Sequence, residues 1–494
     1  MTNFYQSLSE AFNQRLDAPA LILKDRADWS YADLVDRVNQ LAQVLLAHEV
    51  APGDRVMVQV EKSPDNLALY LATLKVGGVY VPLNTAYTEA ELDYFVADAQ
   101  PQLFVGAQAR AGVDCLTLDE HGGGSLMQAA RDVARADECA TVSRDDQDLA
   151  AILYTSGTTG RSKGAMLTHN NLSSNARSLS ECWGWQQDDV LLNALPIFHV
   201  HGLFIASHCA LLNATPMIFH SKFVAEDVFA ALPDCTVLMG VPTFYTRLLQ
   251  QPGLNREHVS NVRVFICGSA PLTEQTFAAW EQATGQRILE RYGMSETIIN
   301  TSNPLDGDRV PGTVGFALPN QEVRIADENG LEVPKGEVGT IEMRGPNVFS
   351  GYWNLPDKTA EEIRADGFFI TGDLGTQDAE GRVAIVGRAK DLVITGGYNV
   401  YPKEVERLLD ELPDVTESAV IGLPHDDFGE AVVAVLVAPD SVTVDSVNAA
   451  LQDQLARFKQ PKAVLCVSEL PRNTMGKVQK NVLRDRYKTM FSNG

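Results

Sequence analysis

Hydrophobic residues in the first three quarters of the chain follow two alternating periods. Leucines and valines at helical spacing predict a helix near the start, formed around Leu34, Val38, Leu41 and Leu45. Short apolar runs that are typical of strands lie at residues 56–60, 150–154, 237–239 and 262–267. Strands that alternate with helices indicate parallel α/β layers, whose ligands bind beyond the carboxyl ends of the strands.

The pattern changes after Gly387, where a short polar stretch begins. The elements predicted beyond it are a helix at residues 402–411, strands at residues 418–423 and 431–438, and a helix that uses Val447, Leu451, Leu455 and Phe458. We therefore expect an α/β protein in two parts. Residues 1–388 form a large multi-layer N-terminal domain with β-sheets flanked by helices, and residues 389–494 form a small α+β C-terminal domain.

Composition and charge exclude several classes of protein. The net charge of −24 argues against nucleic-acid binding, because a polyphosphate backbone favours an excess of Lys and Arg. Residues 190–221 carry no Asp, Glu, Lys or Arg, but polar residues and prolines interrupt them, so we expect a buried core segment and no membrane span. Seven scattered cysteines without a Cys-x-x-Cys pair, and an N-terminus without a signal peptide, predict a cytoplasmic protein.

A loop rich in Gly, Ser and Thr follows the predicted strand at residues 150–154. It runs from Tyr154 to Gly164, and its glycines, its hydroxyls and the charge of Lys163 suit phosphate oxygens. A flexible surface loop has a similar composition. A kinase-type phosphate loop would need Gly at position 162, where this chain has Ser162, so the loop is of another kind.

This loop resembles the signature of the adenylate-forming superfamily, which includes acyl-CoA synthetases, luciferases and the adenylation domains of peptide synthetases. Further motifs follow in the family's order over about residues 30–480. The resemblance implies that ATP activates a small carboxylic acid as an acyl-adenylate and that coenzyme A then accepts the acyl group. It also implies Mg²⁺ as the cofactor and a small C-terminal domain that is mobile.

The resemblance assigns three residues to catalysis. Lys477 would bridge the acyl carboxylate and the α-phosphate, Glu296 would bind Mg²⁺, and Lys163 would hold the outer phosphates. Tyr292 would pack on the adenine, and Asp373 would accept both ribose hydroxyls. The full set implied for ATP and AMP is Thr155, Ser156, Gly157, Thr158, Thr159, Gly160, Lys163, Gly268, Ser269, Ala270, Tyr292, Gly293, Ser295, Asp373 and Arg388.

The acyl site is expected around Arg291, which stands directly before Tyr292. A distal carboxylate of the substrate would gain a charge-assisted bond from this guanidinium. The other residues expected there are His199, His201, Ser269 and Met294. As alternatives, Arg291 could form a structural salt bridge, and either histidine could be an ordinary core residue.

By resemblance, Lys390 stands at the hinge between the domains, and Gly396, Gly397 and Tyr398 line the tunnel for CoA. The segment that ends at Lys477 also resembles the sites that lysine acetyltransferases modify in related synthetases. Acetylation of Lys477 would remove the charge that the reaction needs.

Longer stretches look most like malonyl-CoA synthetases, so we expect malonate as the acid, with methylmalonate tolerated. Another small or aromatic acid is an alternative, as is a carrier-protein thiol in place of free CoA. A luciferase-type oxygenase and a nucleotide-binding protein without activity are the remaining hypotheses. The latter would not need Lys477 and Glu296 together.

Overall fold

The computed structural model describes residues 3–24, 26–133, 139–155, 162–425, 427–473 and 476–491. The helices in these ranges are α1 Phe4–Asn13, α2 Tyr31–Ala47, α3 Pro64–Lys75, α4 Glu89–Ala99, α5 Ser125–Asp132, α6 His169–Cys182, α7 His208–Leu212, α8 Ala225–Ala231, α9 Pro242–Leu248, α10 Glu274–Thr284, α11 Pro356–Glu362, α12 Pro402–Asp410, α13 Val444–Leu451 and α14 Lys480–Tyr487. A π-helix covers His201–Ser207, and 3₁₀ turns cover Leu232–Asp234 and Ala389–Asp391.

The strands in chain order are β1 Pro19–Ile22, β2 Trp29–Ser30, β3 Arg55–Gln59, β4 Val79–Pro82, β5 Leu103–Gly106, β6 Cys115–Thr117, β7 Leu149–Thr155, β8 Lys163–Thr168, β9 Leu191–Asn193, β10 Met217–Phe219, β11 Val237–Gly240, β12 Val264–Cys267, β13 Leu289–Tyr292, β14 Thr301–Ser302, β15 Phe316–Ala317, β16 Glu322–Ala326, β17 Gly339–Arg344, β18 Phe369–Gln377, β19 Val383–Arg388, β20 Val393–Thr395, β21 Tyr398–Val400, β22 Glu417–His425, β23 Gly429–Val437 and β24 Ala463–Val467. The strands predicted at β3, β7, β11, β12, β22 and β23 are confirmed.

Two large sheets, mainly parallel, share the principal core. A nine-stranded sheet has the order β15-β14-β13-β12-β11-β9-β10-β1-β2, and a six-stranded sheet has the order β6-β5-β3-β4-β7-β8. The helical spacing around Leu34 is confirmed in α2, whose leucines and valines are buried in this core. A four-stranded antiparallel sheet, β16-β17-β18-β19, follows and has its own apolar cluster, which includes Tyr292.

The last hundred residues build a separate sheet, β21-β20-β23-β22, with β24 paired to β23. Its two faces carry separate apolar clusters, one under α12 and α13 and the other under α14. The predicted class, a large α/β part followed by a smaller α+β part, is therefore confirmed. The boundary between residues 388 and 389 stays a prediction.

The predicted extent of the helix after Val447 was wrong. Helix α13 ends at Leu451, because the backbone N–H of Gln454 turns back to the carbonyl of Leu451, at 3.0 Å. Leu455 is still buried in the same cluster, and Phe458 packs against it. The apolar spacing reported burial correctly, but a turn satisfies the same spacing without continuing the helix.

The uncharged segment at residues 190–221 is core, as predicted. It contains β9, the π-helix, α7 and β10, and most of its residues are buried. Within the described ranges, no helix has both the length and the apolar character needed to cross a membrane.

Candidate active site

Part of the predicted site, including the acyl residues, lies at the carboxyl ends of the central parallel strands. Strand β12 ends at Cys267 and leads into Gly268, and its parallel neighbour β13 ends at Tyr292. Strand β9 leads through Asn193 towards the segment that carries His199 and His201. Because parallel strands end at one edge of a sheet, these segments converge there.

Tyr292, Asp373 and Arg388 form one bonded group. The hydroxyl of Tyr292 donates to Asp373 Oδ2 at 2.6 Å, and Arg388 Nε lies 2.8 Å from Asp373 Oδ1. Burial, and then the neighbouring Asp373 carboxylate, raise the pKa of Tyr292, so this phenol is a hydrogen-bond donor at neutral pH. The structure thus brings together the residues expected around adenine and ribose.

A second group joins Lys163 and Glu296 through Tyr352. Lys163 Nζ lies 3.8 Å from the centroid of the Tyr352 ring, and the hydroxyl oxygen of Tyr352 lies 3.0 Å from Glu296 Oε1. Burial raises the pKa of Glu296. Tyr352 was not predicted as a site residue. In the sequence it is marked only as an aromatic residue that follows a glycine in an irregular segment. The cluster places a cation, a ring and a carboxylate at the end of the phosphate loop.

Arg291 is buried, and its guanidinium faces the turn at Gly268. A Cβ atom at position 268 would lie 2.6 Å from the guanidinium carbon, so any side chain there would displace the guanidinium. The Nε and Nη2 atoms of Arg291 are buried without a hydrogen-bond partner among the described residues. Burial lowers the pKa of Arg291 to about 10, which still leaves it charged at neutral pH. The structural salt bridge considered for Arg291 is absent from the described part of the chain.

The two histidines lie beside Arg291 and are neutral at neutral pH. Burial, and then the charge of Arg291, lower the pKa of His199 to about 4 and that of His201 further. The backbone N–H of His201 donates to His199 Nδ1 at 3.2 Å, so His199 carries its proton on Nε2. His201 Nδ1 lies 3.1 Å from Ser269 Oγ, and its Nε2 is buried without a partner among the described residues.

A π-helix carries His201, and its first turn is held tightly. A Cβ atom at Gly202 would meet the carbonyl oxygen of Pro196 at 2.2 Å. The hydroxyl of Ser207 donates to the Gly202 carbonyl at 2.7 Å and accepts from Asn193 Nδ2 at 3.1 Å. This non-standard helix turn was not predicted, because short apolar runs do not distinguish helix types.

Lys477 reaches the same region from the small C-terminal part. Burial, followed by repulsion from Arg388, lowers the pKa of Lys477 to about 8, and its charge contributes to the lowered pKa of His199. A Cβ atom at the neighbouring Gly476 would lie 3.3 Å from Thr243 Oγ1 at the start of α9. The segment with Lys477 therefore packs against the large N-terminal part next to the acyl residues.

The expected hinge has its own ion pair. Asp391 Oδ1 lies 2.8 Å from Arg484 Nη1 of α14, and Lys390 stands beside this pair in the 3₁₀ turn. Burial, and then the charge of Arg388, lower the pKa of Lys390.

The residues expected to line the CoA tunnel do not join the two groups around Asp373 and Glu296. Tyr398 is 60 % exposed and stacks on Phe458 with ring centroids 4.7 Å apart. Gly396 and Gly397 have φ values of 57° and 82°, which suit glycine. Their described contacts lie within the small C-terminal part.

Other predicted residues take backbone positions near the site. Thr155 and Lys163 pair across β7 and β8. A Cβ atom at Gly293 would meet the Ile298 carbonyl oxygen at 1.9 Å, which holds the loop with Met294, Ser295 and Glu296 in a tight turn. Ala270 follows Ser269, whose φ is 71°. The predicted phosphate-loop residues Ser156, Gly157, Thr158, Thr159 and Gly160 lie outside the described residues.

The donor set suits a hard cation that binds mainly through phosphates. Among the described residues, no three His, Cys, Asp or Glu side chains cluster as a metal site made by protein alone. Glu296 offers a carboxylate next to Lys163, and Mg²⁺ binds through one or two carboxylates together with substrate phosphates and water. The residues present therefore fit the expected Mg²⁺.

Known families and structures match the whole architecture. Residues 8–353 match the model of the AMP-binding enzyme family, and residues 404–477 match that of the AMP-binding enzyme C-terminal domain. A malonate–CoA ligase of Arabidopsis thaliana is 33% identical, covering 98% of this chain and 88% of the relative. A feruloyl-CoA synthase of an Amycolatopsis species is 36% identical, covering 93% of this chain and 94% of the relative.

Among solved structures, MatB from Rhodopseudomonas palustris with bound ATP is 52% identical and has a TM-score of 0.94, covering 99% of this chain and 100% of that one. The apo form of MatB is 53% identical, with the same coverage and a TM-score of 0.83. The arrangement of this chain is therefore more similar to the ATP-bound form than to the apo form.

The neutral state of His199 predicts a pH dependence of stability. In the unfolded chain a histidine binds a proton near pH 6.5, whereas folded His199 does so near pH 4. Above about pH 6.5, burial of the neutral His199 does not lower the free energy of unfolding. As the pH falls from 6.5 towards 4, it lowers the free energy of unfolding by at most about 1.4 kcal/mol per pH unit. In His199→Asn, whose side-chain oxygen can still accept the His201 N–H, this part of the loss should disappear. Urea unfolding of both proteins from pH 4.5 to 7.5 measures it, and parallel curves would contradict the prediction.

Proposed function

Because this chain belongs to the AMP-binding enzyme family, we propose that it ligates malonate to coenzyme A. One carboxylate of malonate attacks the α-phosphate of ATP, which forms an acyl-adenylate and releases pyrophosphate. The thiol of CoA then attacks the acyl carbon, and AMP leaves. Similarity to a malonate–CoA ligase and to ATP-bound MatB supports this assignment.

The observation that carries the choice of acid is the buried guanidinium of Arg291, whose Nε and Nη2 atoms have no hydrogen-bond partner in the described part of the chain. Leaving one partner of a buried ion pair uncompensated costs about 3–5 kcal/mol, so a folded protein keeps such a cation for an anionic ligand. Malonate offers a second carboxylate, and an Arg–carboxylate pair can form two parallel hydrogen bonds. An aromatic monoacid such as ferulate would instead place an apolar group against this cation.

The neutral histidines offer hydrogen-bonding groups to a short diacid without adding charge. His199 presents its Nε2 proton, and the free Nε2 of His201 adds a second polar group beside Arg291. The hydroxyl of Ser269 lies between this pair and the turn at Gly268. These polar groups therefore lie beside one positive charge, which a dicarboxylate would neutralise.

Adenylation brings a carboxylate and a phosphate together, so charge neutralisation and positioning supply most of the catalysis. Lys477 lies between the acyl residues and the Asp373–Arg388 group, where it can contact both anions. Its depressed pKa leaves a weakly solvated ammonium that a bound anion would keep charged. Acetylation of this amine by a lysine acetyltransferase stays a separate hypothesis.

On the leaving-group side, Glu296 would hold Mg²⁺ and Lys163 would contact the outer phosphates. The bound cation would supply positive charge to the β- and γ-phosphates as pyrophosphate departs. Tyr352 orients the Glu296 carboxylate through its hydroxyl. Lys163 is the first residue of β8, at the end of the phosphate loop, so only its side chain has to move to contact the outer phosphates.

For the second half-reaction we propose rotation of the small domain about Lys390. Rotation would withdraw Lys477 and bring the exposed loop at residues 396–398 to the adenylate. Exposure of Tyr398 and the positive φ angles of both glycines are consistent with a loop that docks in another domain position.

Malonate-dependent exchange of labelled pyrophosphate into ATP tests the proposal directly, with mass spectrometry of the product formed after addition of CoA. A panel with methylmalonate, acetate, ferulate and octanoate distinguishes the alternatives. Product formation only with a carrier protein, or with an aromatic acid, would replace the proposed substrate.

Arg291→Ala should lower kcat/KM for malonate by about 100-fold or more, since bonds to a charged group contribute roughly 1.5–3 kcal/mol each. Acetate-dependent exchange should persist, because a monoacid does not need the guanidinium. The control is Arg287→Ala, whose arginine is about half exposed and pairs with Glu281 at 2.8 Å. Unchanged malonate kinetics in Arg291→Ala would refute the assignment.

Gly268→Ala tests the same subsite without removing the charge. The added methyl group would sit 2.6 Å from the guanidinium carbon and displace it. We expect KM for malonate to rise at least about tenfold, with KM for ATP little changed. Equal effects on both KM values would indicate that Gly268 serves the nucleotide instead.

Lys477→Ala and Lys390→Pro should affect opposite half-reactions. Loss of the ammonium should abolish pyrophosphate exchange but leave thioester formation from synthetic malonyl-adenylate and CoA.

A proline at the hinge should spare exchange and impair thioester formation, because it restricts the backbone rotation. Parallel loss of both half-reactions in Lys390→Pro would count against domain rotation.

A further inference from the structure

Lys163 has an anionic partner outside the residues assigned to phosphate binding. Its Nζ atom lies 3.2 Å from Glu362 Oε1, at the end of α11. The other oxygen of Glu362 accepts from the hydroxyl of Tyr352 at 2.7 Å. Tyr352 also contacts Glu296, so Glu362 belongs to the same cluster as the proposed ligand of Mg²⁺.

Backbone pairing fixes this cluster. The N–H of Trp353 donates to the carbonyl of Gly164 at 2.8 Å, next to Lys163, and the N–H of Phe349 donates to the carbonyl of Glu296 at 2.8 Å. The N–H of Tyr352 donates to Thr359 Oγ1 at 2.9 Å, which ties α11 to the same segment. The Glu362 carboxylate therefore has a defined place beside Lys163.

A second lysine shares the carboxylate. Lys358 Nζ lies 3.1 Å from the same Oε1 atom of Glu362, and Lys358 is the more exposed of the two lysines. Two ammonium groups therefore share one carboxylate oxygen of Glu362, and Lys358 also lies 2.9 Å from Glu361 Oε2. Lys163 can thus leave Glu362 without leaving that carboxylate unpaired.

We propose that Glu362 is a positioning residue that competes with bound polyphosphate for Lys163. When the outer phosphates of ATP or free pyrophosphate bind beside Lys163, its Nζ moves from Glu362 to them, and Lys358 keeps Glu362 paired. On release of pyrophosphate, Glu362 takes Lys163 back. This inference rests on the proposed function, because the phosphates are those of its substrate and product.

The competition lowers the affinity for pyrophosphate and so favours its departure. Glu362→Gln removes the competing charge but keeps an oxygen that can accept from Tyr352. A partly exposed ion pair is weak, so the variant should bind magnesium pyrophosphate roughly two- to fivefold more tightly than the wild type. KM for malonate should not change.

Equilibrium titration of the full-length protein with magnesium pyrophosphate tests this without turnover. The matched control is Glu361→Gln, which removes the same charge from a residue that pairs only with Lys358 among its described contacts, at 2.9 Å. Its affinity should equal that of the wild type. In a Lys163→Met background, the gain from Glu362→Gln should vanish, because Glu362 acts through Lys163.

Equal or weaker binding by Glu362→Gln would overturn the inference, as would an equal gain in Glu361→Gln or a gain that persists without Lys163. Unchanged melting temperatures of the variants exclude a general loss of folding. Malonate-dependent exchange by the wild type tests the proposed function separately. Its absence, together with tighter pyrophosphate binding by Glu362→Gln, would remove the proposed function and leave the competition for Lys163 in place.

Discussion

A buried guanidinium that forms no ion pair within 4 Å among the residues that the structure describes is the constraint on which the acyl half of this site depends. Arg291 reaches its position because Gly268 has no side chain, and burial leaves two of its donors without partners in the described protein. Burial, and then this positive charge, lower the pKa values of His199 and His201 and keep both neutral. The cation thus sets the charge of the acyl site and adds to the effect of burial on its neighbours, and it selects for an anionic group in the ligand.

The phosphate half of the site has to present positive charge in an acidic protein with a net charge of −24. Its few cations are gathered against carboxylates that orient them: Lys163 against Glu362, and Arg388 against Asp373. The Lys163–Glu362 pair can exchange its carboxylate for a phosphate, since partly exposed ion pairs are weak. The site can therefore keep its lysine and arginine side chains ordered both before a phosphate group binds and after it leaves.

Lys477 links the two halves from a separate domain. Ion pairs from Arg472 to Glu417 and from Arg484 to Asp391 anchor its segment within the small C-terminal part. Gly476 packs against Thr243 at the start of α9, next to the acyl residues. Because the small domain carries Lys477, rotation of that whole domain would withdraw the ammonium from the site. A lysine on the large domain would stay in the site. The proposed two-step reaction benefits from this, because its two half-reactions need different groups at one place.

The sequence by itself determined many of the helices and strands and several residues that carry the candidate chemistry. Periodicity revealed α2 and the strands β3, β7, β11 and β12, because burial of one face is a local property of the chain, and the motifs named Arg291, Asp373 and Lys477 because each stands in a recognisable short segment. Only the tertiary structure decided which parts meet. Tyr292 and Asp373 are 81 residues apart, and nothing local marks Glu362 as the partner of Lys163. The end of α13 and the π-helix were likewise missed, because apolar spacing reports burial but not how the backbone turns. Pairing between distant residues follows from the packing of whole elements, which short-range patterns do not contain.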